Sequence, residues 1–174
     1  MQQNADMKIS PQKSDTSDLY YKDIKLWNTW LKLSDIQKNS SDLEFRLWLY
    51  PELSVKKQMI LIHKSAVSWK GVLYSFDIRN AKLESSKDLI PKSNWENIEN
   101  TFLNLKVGQL PNDSNVPADL LYDDGITFIL EIADTKSYRF SKFSNPQQIR
   151  KLNKEASRWD ALLSFISKEF DIPY

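Results

Sequence analysis

Eight consecutive residues alternate strictly between two sets of side chains, and this run constrains the fold more tightly than any other feature of the chain. Successive side chains of a β-strand point to opposite faces of a sheet, so the alternation predicts a strand with two chemically different sides. Pro51 ends the run because proline cannot donate a hydrogen bond to the sheet. The run is Leu43–Tyr50, with Leu43, Phe45, Leu47 and Leu49 on one side and Glu44, Arg46, Trp48 and Tyr50 on the other.

Similar patterns predict the remaining strands and helices. The other predicted strands are Gln58–Lys64, Trp69–Arg79, Gly125–Asp134 and Lys136–Ser144, and the predicted helices begin after Asp18, Ser93 and Asn145. Short connections favour antiparallel pairing, and Gly71 predicts either a bulge or a close approach of two backbones. The sequence therefore predicts an α+β fold, with an antiparallel sheet of about five strands packed against helices in the order α-βββ-α-ββ-α.

The length and composition of the chain fit one domain. It has 174 residues, of which 41% are hydrophobic and 12% aromatic, so it can bury a sizeable core without a metal or a disulfide. Residues 1–18 are polar and aperiodic and are predicted to be a flexible tail, whereas residues 19–174 are predicted to be a single α+β domain. Trp159 lies on the apolar stripe of the last helix and is predicted to be buried against the sheet.

Several residue types that carry chemistry are absent or rare. The chain has no cysteine, a single histidine at position 63 and three glycines. These absences exclude thiolate chemistry, two-histidine metal sites and glycine-rich phosphate loops, and the sequence predicts no cofactor and no metal. A net charge of +1 and the lack of a long apolar run predict no nucleic-acid partner and no transmembrane segment. A third, weaker hypothesis of nucleic-acid binding depends only on the basic helix residues Arg150, Lys154 and Arg158.

Strand alternation also yields a candidate recognition surface. If the apolar sides of all strands face one core, the opposite side carries aromatic and charged residues together. Tryptophan and arginine are frequent binding anchors, so we expect a binding site there, formed by Arg46, Trp48, Trp69 and Arg139. Two alternatives stay open: an ordinary outer face with Glu–Arg cross-strand pairs, or a face covered by the N-terminal helix, which would make these aromatics part of the core.

A hydrolase acting on a polar substrate is the alternative to a non-enzymatic binding or interaction protein. It would act through Glu44, Glu131 or His63, because two carboxylates at a suitable separation can act as acid and base. Neighbouring arginines would keep both carboxylates ionised, which disfavours a general acid. The leading expectation is therefore a binding protein with an unknown partner, either a protein or a small polar ligand.

The C-terminal third carries a family resemblance. The stretch DGITFILEIADTKSYRFSKFSNP, followed by an amphipathic helix that ends ISKEF, resembles a group of uncharacterised small bacterial α+β proteins, often exported. The resemblance implies the strand, hairpin and helix pattern and supplies no functional residues. Met1 followed by Gln-Gln-Asn is typical of a mature N-terminus after removal of a signal peptide. We therefore expect an exported (periplasmic or secreted) or envelope-associated protein, with a cytoplasmic location as the alternative.

Overall fold

The first four strands of the domain follow one another closely along the chain, and a long segment with a helix separates them from the last two. The structure is a computed structural model, and it describes residues 16–38, 42–117, 120 and 124–174. The strands are β1 (Leu43–Pro51), β2 (Lys56–Ser65), β3 (Ser68–Asp77), β4 (Lys82–Leu89), β5 (Ile126–Asp134) and β6 (Tyr138–Ser144). The helices are α1 (Leu19–Trp30), α2 (Trp95–Asn104), α3 (Pro146–Ile149) and α4 (Lys154–Phe170).

In the described residues the strands form one antiparallel sheet of six strands in the order β4-β3-β2-β1-β5-β6. The predicted α+β class and antiparallel sheet are therefore confirmed, but the sheet has six strands rather than five. The additional strand is β4, which the sequence prediction missed because seven of its eight residues are exposed and its side chains show no apolar alternation. The order of elements is accordingly α-ββββ-α-ββ-α-α.

Helices cover both sides of the sheet. On one side, here called the α4 face, Phe45 and Leu47 of β1 pack with Ile98 of α2 and with Trp159 and Ile166 of α4. On the other side, the α1 face, Trp27 of α1 contacts Trp48, Tyr50 and Phe76 with ring centroids 5.4–5.8 Å apart. Both faces of β1 are therefore buried, so the alternation of its side chains separates two cores rather than a core from solvent.

Local sequence signals set the helix ends. Asp18 caps α1, because its side chain accepts a hydrogen bond from the backbone N–H of Tyr20 at 2.8 Å. Asp18 is the last residue of the predicted tail, and it was also one of the two caps, Ser17 or Asp18, that the sequence offers for this helix; residues 1–15 lie outside the described residues. At α2 the cap is Asn94 rather than the predicted Ser93, which instead hydrogen-bonds Glu169 of α4.

The predicted C-terminal helix is interrupted. Pro146 opens the short α3, and a second start at Lys154 is capped by Asn153, which accepts the N–H of Ala156 at 2.8 Å. Leu152 lies seven residues before Trp159, so the sequence places both on one apolar stripe, but the break leaves Leu152 74% exposed. Trp159 is fully buried between α4 and the sheet, as predicted, and its indole donates a hydrogen bond to the carbonyl oxygen of Pro111 at 2.8 Å.

The two edges of the sheet differ. At β6, the outward backbone N–H groups of Lys142 and Ser144 donate to the side chains of Asn112 and Asp113, at 2.9 and 3.0 Å. The other edge, β4, is solvent-exposed along most of its length and carries charged side chains of both signs. Charges along an edge strand oppose pairing with other chains, so β4 is protected by charge and β6 by a loop.

Candidate functional site

The four residues predicted to form one recognition surface do not share a face of the sheet. The pairing register places Arg46 and Trp48 on the α1 face, with Leu61 and Met59 as cross-strand neighbours. Trp69 lies opposite Lys64, and Arg139 opposite Ile132, and both belong to the α4 face. The single-surface prediction is therefore wrong, because it assumed one core.

Arg46 and Trp48 lie beneath α1. Trp48 is fully buried and Arg46 is 1% exposed. The Arg46 guanidinium donates from Nε to Glu44 at 2.7 Å, from Nη1 to Asn28 at 2.8 Å and from Nη2 to the carbonyl oxygen of Ser34 at 2.7 Å. These hydrogen bonds of the buried Arg46 side chain join the sheet to α1 and to the turn that follows it. This arrangement agrees with the alternative prediction, in which the N-terminal helix covers this face of the sheet.

Glu131 lies in a second buried polar network on the same face. Its carboxylate accepts hydrogen bonds from the Tyr138 hydroxyl at 2.9 Å and from the Trp48 indole at 3.3 Å, and Lys25 of α1 lies 3.5 Å away. Burial, together with the Glu131 carboxylate, raises the pKa of Tyr138 well above its usual range, so this hydroxyl stays protonated and donating. These contacts make Glu131 a structural residue that α1 shields from substrate.

A fourth buried charge on the α1 face, Lys57, was not singled out in the sequence. Lys57 is 1% exposed, and its ammonium lies 3.5 Å from the centre of the Tyr50 ring and donates to the carbonyl oxygen of Pro51. Burial lowers the pKa of Lys57, although Glu52 and Asp23 partly oppose this shift. Lysines inside strands are usually exposed, so nothing in the sequence distinguished this one.

Of the three residues predicted for a hydrolase, Glu44, Glu131 and His63, only His63 has an accessible side chain. Its side chain is 32% exposed, and its Nδ1 lies 3.6 Å from Glu44 Oε2. Glu44 and Glu131 belong to different hydrogen-bond networks, built around Arg46 and around Tyr138 and Trp48 respectively. The structure therefore brings His63 and Glu44 together but does not join Glu131 to them.

The accessible aromatic surface lies on the α4 face, where α2 crosses the ends of the strands. Leu43, Lys64 and Trp69 are successive cross-strand neighbours on β1, β2 and β3 and form a row across the sheet. Trp95, Glu99 and Leu103 follow one another at four-residue spacing along α2 and therefore lie on one side of that helix. We call these six residues the α2 groove.

Two side-chain pairs join the two sides of the α2 groove. The rings of Trp69 and Trp95 are nearly parallel, with an interplanar angle of 2° and centroids 5.5 Å apart. Lys64 contacts both Glu99 oxygens, at 2.6 and 2.9 Å, and its ammonium lies 5.2 Å from the Trp69 ring centre. Both tryptophans are half-buried, so the paired rings remain partly accessible.

A cavity of about 420 Å³ opens at the C-terminal end of α2. Its apolar residues include Leu43, Phe102, Val107 and Ile132, and Leu103 at its mouth is 69% exposed. The polar residues of its lining are Asp42, Glu99, Lys106, Gln109 and Asp134. This volume is within the range of ligand sites and accommodates a few side chains of a partner.

Trp95 is the member of this surface that sequence reasoning missed as a binding candidate. In the sequence Trp95 shares a helical apolar spacing with Ile98 and Phe102, which indicates a core residue, and only the tertiary fold brings it over Trp69. Gly71 carried a usable signal, because the predicted close approach is present: a Cβ atom there would lie 2.8 Å from the Trp95 ring. The other alternative for Gly71, a bulge, is not realised there, since the register shift of β3 against β4 falls between Ser75 and Phe76.

Replacement of Gly71 tests this packing. We expect Gly71→Ala to displace the Trp95 ring and to lower the free energy of unfolding by about 1–3 kcal/mol, as overpacking does. The near-ultraviolet circular dichroism of the stacked tryptophans should change with it. Gly108→Ala is the matched control, because a Cβ atom at Gly108 has nothing within 4 Å. Equal stability of the two variants would contradict the close packing of Trp95 on Gly71.

Comparison of the chain with protein-family models, with curated proteins and with solved structures gave no significant match. Among the described residues, no helix combines the length and the apolar character that crossing a bilayer demands. No group of three or more histidine or acidic side chains within those residues is arranged to hold a metal ion.

Proposed function

We propose that this chain is a non-enzymatic binding protein that recognises another protein through the α2 groove. The observation that carries the proposal is the continuity of this groove: a half-exposed tryptophan pair, an ion pair and an apolar cavity follow one another along α2. Aromatic side chains beside a pocket are typical of binding hot spots, since they combine a large apolar area with little loss of side-chain freedom.

The burial of the charged groups supports binding over catalysis. Glu44, Arg46, Lys57 and Glu131 are all at most 2% exposed. A catalytic group must reach its substrate, and these groups already bond to the sheet or to α1. The lack of cysteine in the whole chain suits a binding protein in an oxidising or a reducing compartment alike.

A hydrolase acting through His63 and Glu44 is the second candidate. The contact between a half-exposed imidazole and a buried carboxylate favours it, because a carboxylate can orient a histidine base. Turnover of a screened polar substrate that is lost in His63→Ala, together with the absence of any stoichiometric partner, would replace the binding proposal with this one.

Capture of partners from native cells tests the proposal. We expect the tagged chain to retain a partner at constant stoichiometry, and Trp69→Ala to lose it. Trp30→Ala is the matched control, because Trp30 is also a half-buried tryptophan but packs in the α1 core. Circular dichroism should first show that both variants are folded. A partner that is retained by Trp69→Ala would contradict recognition through the α2 groove.

A further inference from the structure

The two sides of the sheet differ in what their helices cover. The centre of the α4 face is apolar, with Phe45, Leu47 and Ile60 fully buried. The α1 face carries four charged residues, each at most 2% exposed, among its aromatic rings: Glu44, Arg46, Lys57 and Glu131. Removal of α4 would therefore expose mainly apolar surface, whereas removal of α1 would expose a face of mixed polar and aromatic character, which water solvates at lower cost.

Two of these charged residues, Glu44 and Arg46, pair within one strand. Nε of Arg46 donates to Glu44 at 2.7 Å, and both residues belong to β1. Lys57 of β2 donates to the carbonyl oxygen of Pro51 at the end of β1. To Arg46, α1 and its following turn contribute the side-chain oxygen of Asn28 and one backbone carbonyl oxygen. Both are neutral acceptors, and water can replace them once it reaches the guanidinium.

The Glu131 carboxylate of β5 is also held from within the sheet. It accepts hydrogen bonds from the Tyr138 hydroxyl of β6 at 2.9 Å and from the Trp48 indole of β1 at 3.3 Å. To this carboxylate α1 contributes the Lys25 ammonium, 3.5 Å away, whose side chain is 32% exposed and therefore already partly hydrated. Release of α1 would hydrate the charges of this face while each keeps a partner in the sheet, so no charge would stay buried and unpaired.

Apolar contacts hold α1 in its closed position. Trp27 packs against Trp48, Tyr50 and Phe76, and Ile24 is fully buried. However, α1 has only 12 residues, and an isolated helix of that length is marginal in water. Segments with few buried apolar side chains open first in folded proteins. We therefore expect a closed resting state that opens rarely and as a unit.

The α4 helix is anchored at more points. Glu169, near its end, accepts hydrogen bonds from the backbone N–H and the hydroxyl group of Ser93, which precedes α2. Trp159 donates to the carbonyl oxygen of Pro111 in the segment that follows α2. Opening of α4 would break these contacts and uncover the apolar centre of the sheet, so α1 is the helix that can leave at the lower cost.

We infer that α1 is a releasable cover, which opens as a unit while the sheet and α4 stay folded. The open state exposes Trp48, Tyr50 and Phe76 between the charges of Arg46 and Glu131. The sequence predicted Arg46 and Trp48 as recognition residues, and the closed cover keeps both from solvent. Opening of α1 thus controls access to this face, while the α2 groove on the opposite side of the sheet stays unchanged.

Labelling of engineered thiols in the native protein tests the cover, because the chain contains no cysteine. Met59 and Ile60 are neighbours in β2, are both fully buried, and belong to the α1 core and the α4 core respectively. Without denaturant, we expect Met59→Cys to react with iodoacetamide at least about 100-fold faster than Ile60→Cys. The two rates are compared after correction for the unfolding equilibrium of each variant, measured by urea titration.

Hydrogen exchange of the full chain gives a second readout, in the parent protein and in Trp159→Phe. This substitution weakens the α4 core, so the amides of α4 should exchange at least about tenfold faster. The amides of Ile24 and Trp27 and the indole N–H of Trp48 should exchange at an unchanged rate, because α1 opens without α4. Equal corrected labelling of the two thiols, or α1 exchange that rises together with α4 exchange, would overturn the inference, since α1 would then open only with the whole domain.

Discussion

Replacement of Arg46 by alanine is expected to lower the free energy of unfolding by about 3–5 kcal/mol, because it leaves the Glu44 carboxylate buried without its main partner. The same change removes the hydrogen bonds that join β1 to Asn28 and to the carbonyl group of Ser34. Urea titration, followed by far-ultraviolet circular dichroism, measures the loss.

Arg139→Ala is the matched control for this prediction. Arg139 is exposed and lies on the α4 face, so its removal should change stability by less than about 0.5 kcal/mol. A double variant, Glu44→Gln with Arg46→Met, removes both charges and should cost less than Arg46→Ala alone, since no uncompensated charge stays buried. Equal losses in Arg46→Ala and Arg139→Ala would show that the arginine network under α1 contributes nothing to stability.

Trp159→Ala, a replacement on the opposite side of the sheet, is expected to lower the free energy of unfolding by about 3–5 kcal/mol. The indole is fully buried, packs beside Phe143 with ring centroids 6.2 Å apart, and donates its N–H to Pro111. The variant therefore leaves both a cavity and an unpaired carbonyl group, and denaturant titration measures their combined effect.

Leu152→Ala is the control for the α4 core. Leu152 lies in the break between α3 and α4 and is 74% exposed, so its truncation should change the unfolding free energy by less than about 0.5 kcal/mol. A loss at Trp159 as small as the loss at Leu152 would mean that α4 does not anchor the sheet. Trp159→Phe keeps most of the packing and should have an intermediate cost.

The sequence predicted the elements of the fold better than their relation to one another. Alternation within β1 placed Arg46 and Trp48 on the same side, as the structure has them. Whether Trp69 joins them depends on which side of β3 faces which core, and the pattern within one strand carries no such information. The two-sided burial of the sheet, produced by α1, decided the question against the prediction.

Elements with few apolar side chains were the hardest to predict. β4 forms its ladder with β3 through backbone hydrogen bonds, so its polar sequence gave no periodic signal. The stacking of Trp95 on Trp69 joins residues that are far apart in the chain, and only Gly71 hinted at a close approach. The α2 groove could therefore not be found before the fold was known.

The unequal edges of the sheet have a consequence for assembly. The edge at β4 is exposed and only its charged side chains oppose pairing, whereas side chains of Asn112 and Asp113 occupy outward N–H groups of β6. If two copies paired through β4 about a two-fold axis, the continuous sheet would end in a blocked β6 at both sides. Such a contact closes on itself, so growth would stop at a dimer and could not propagate into a fibre.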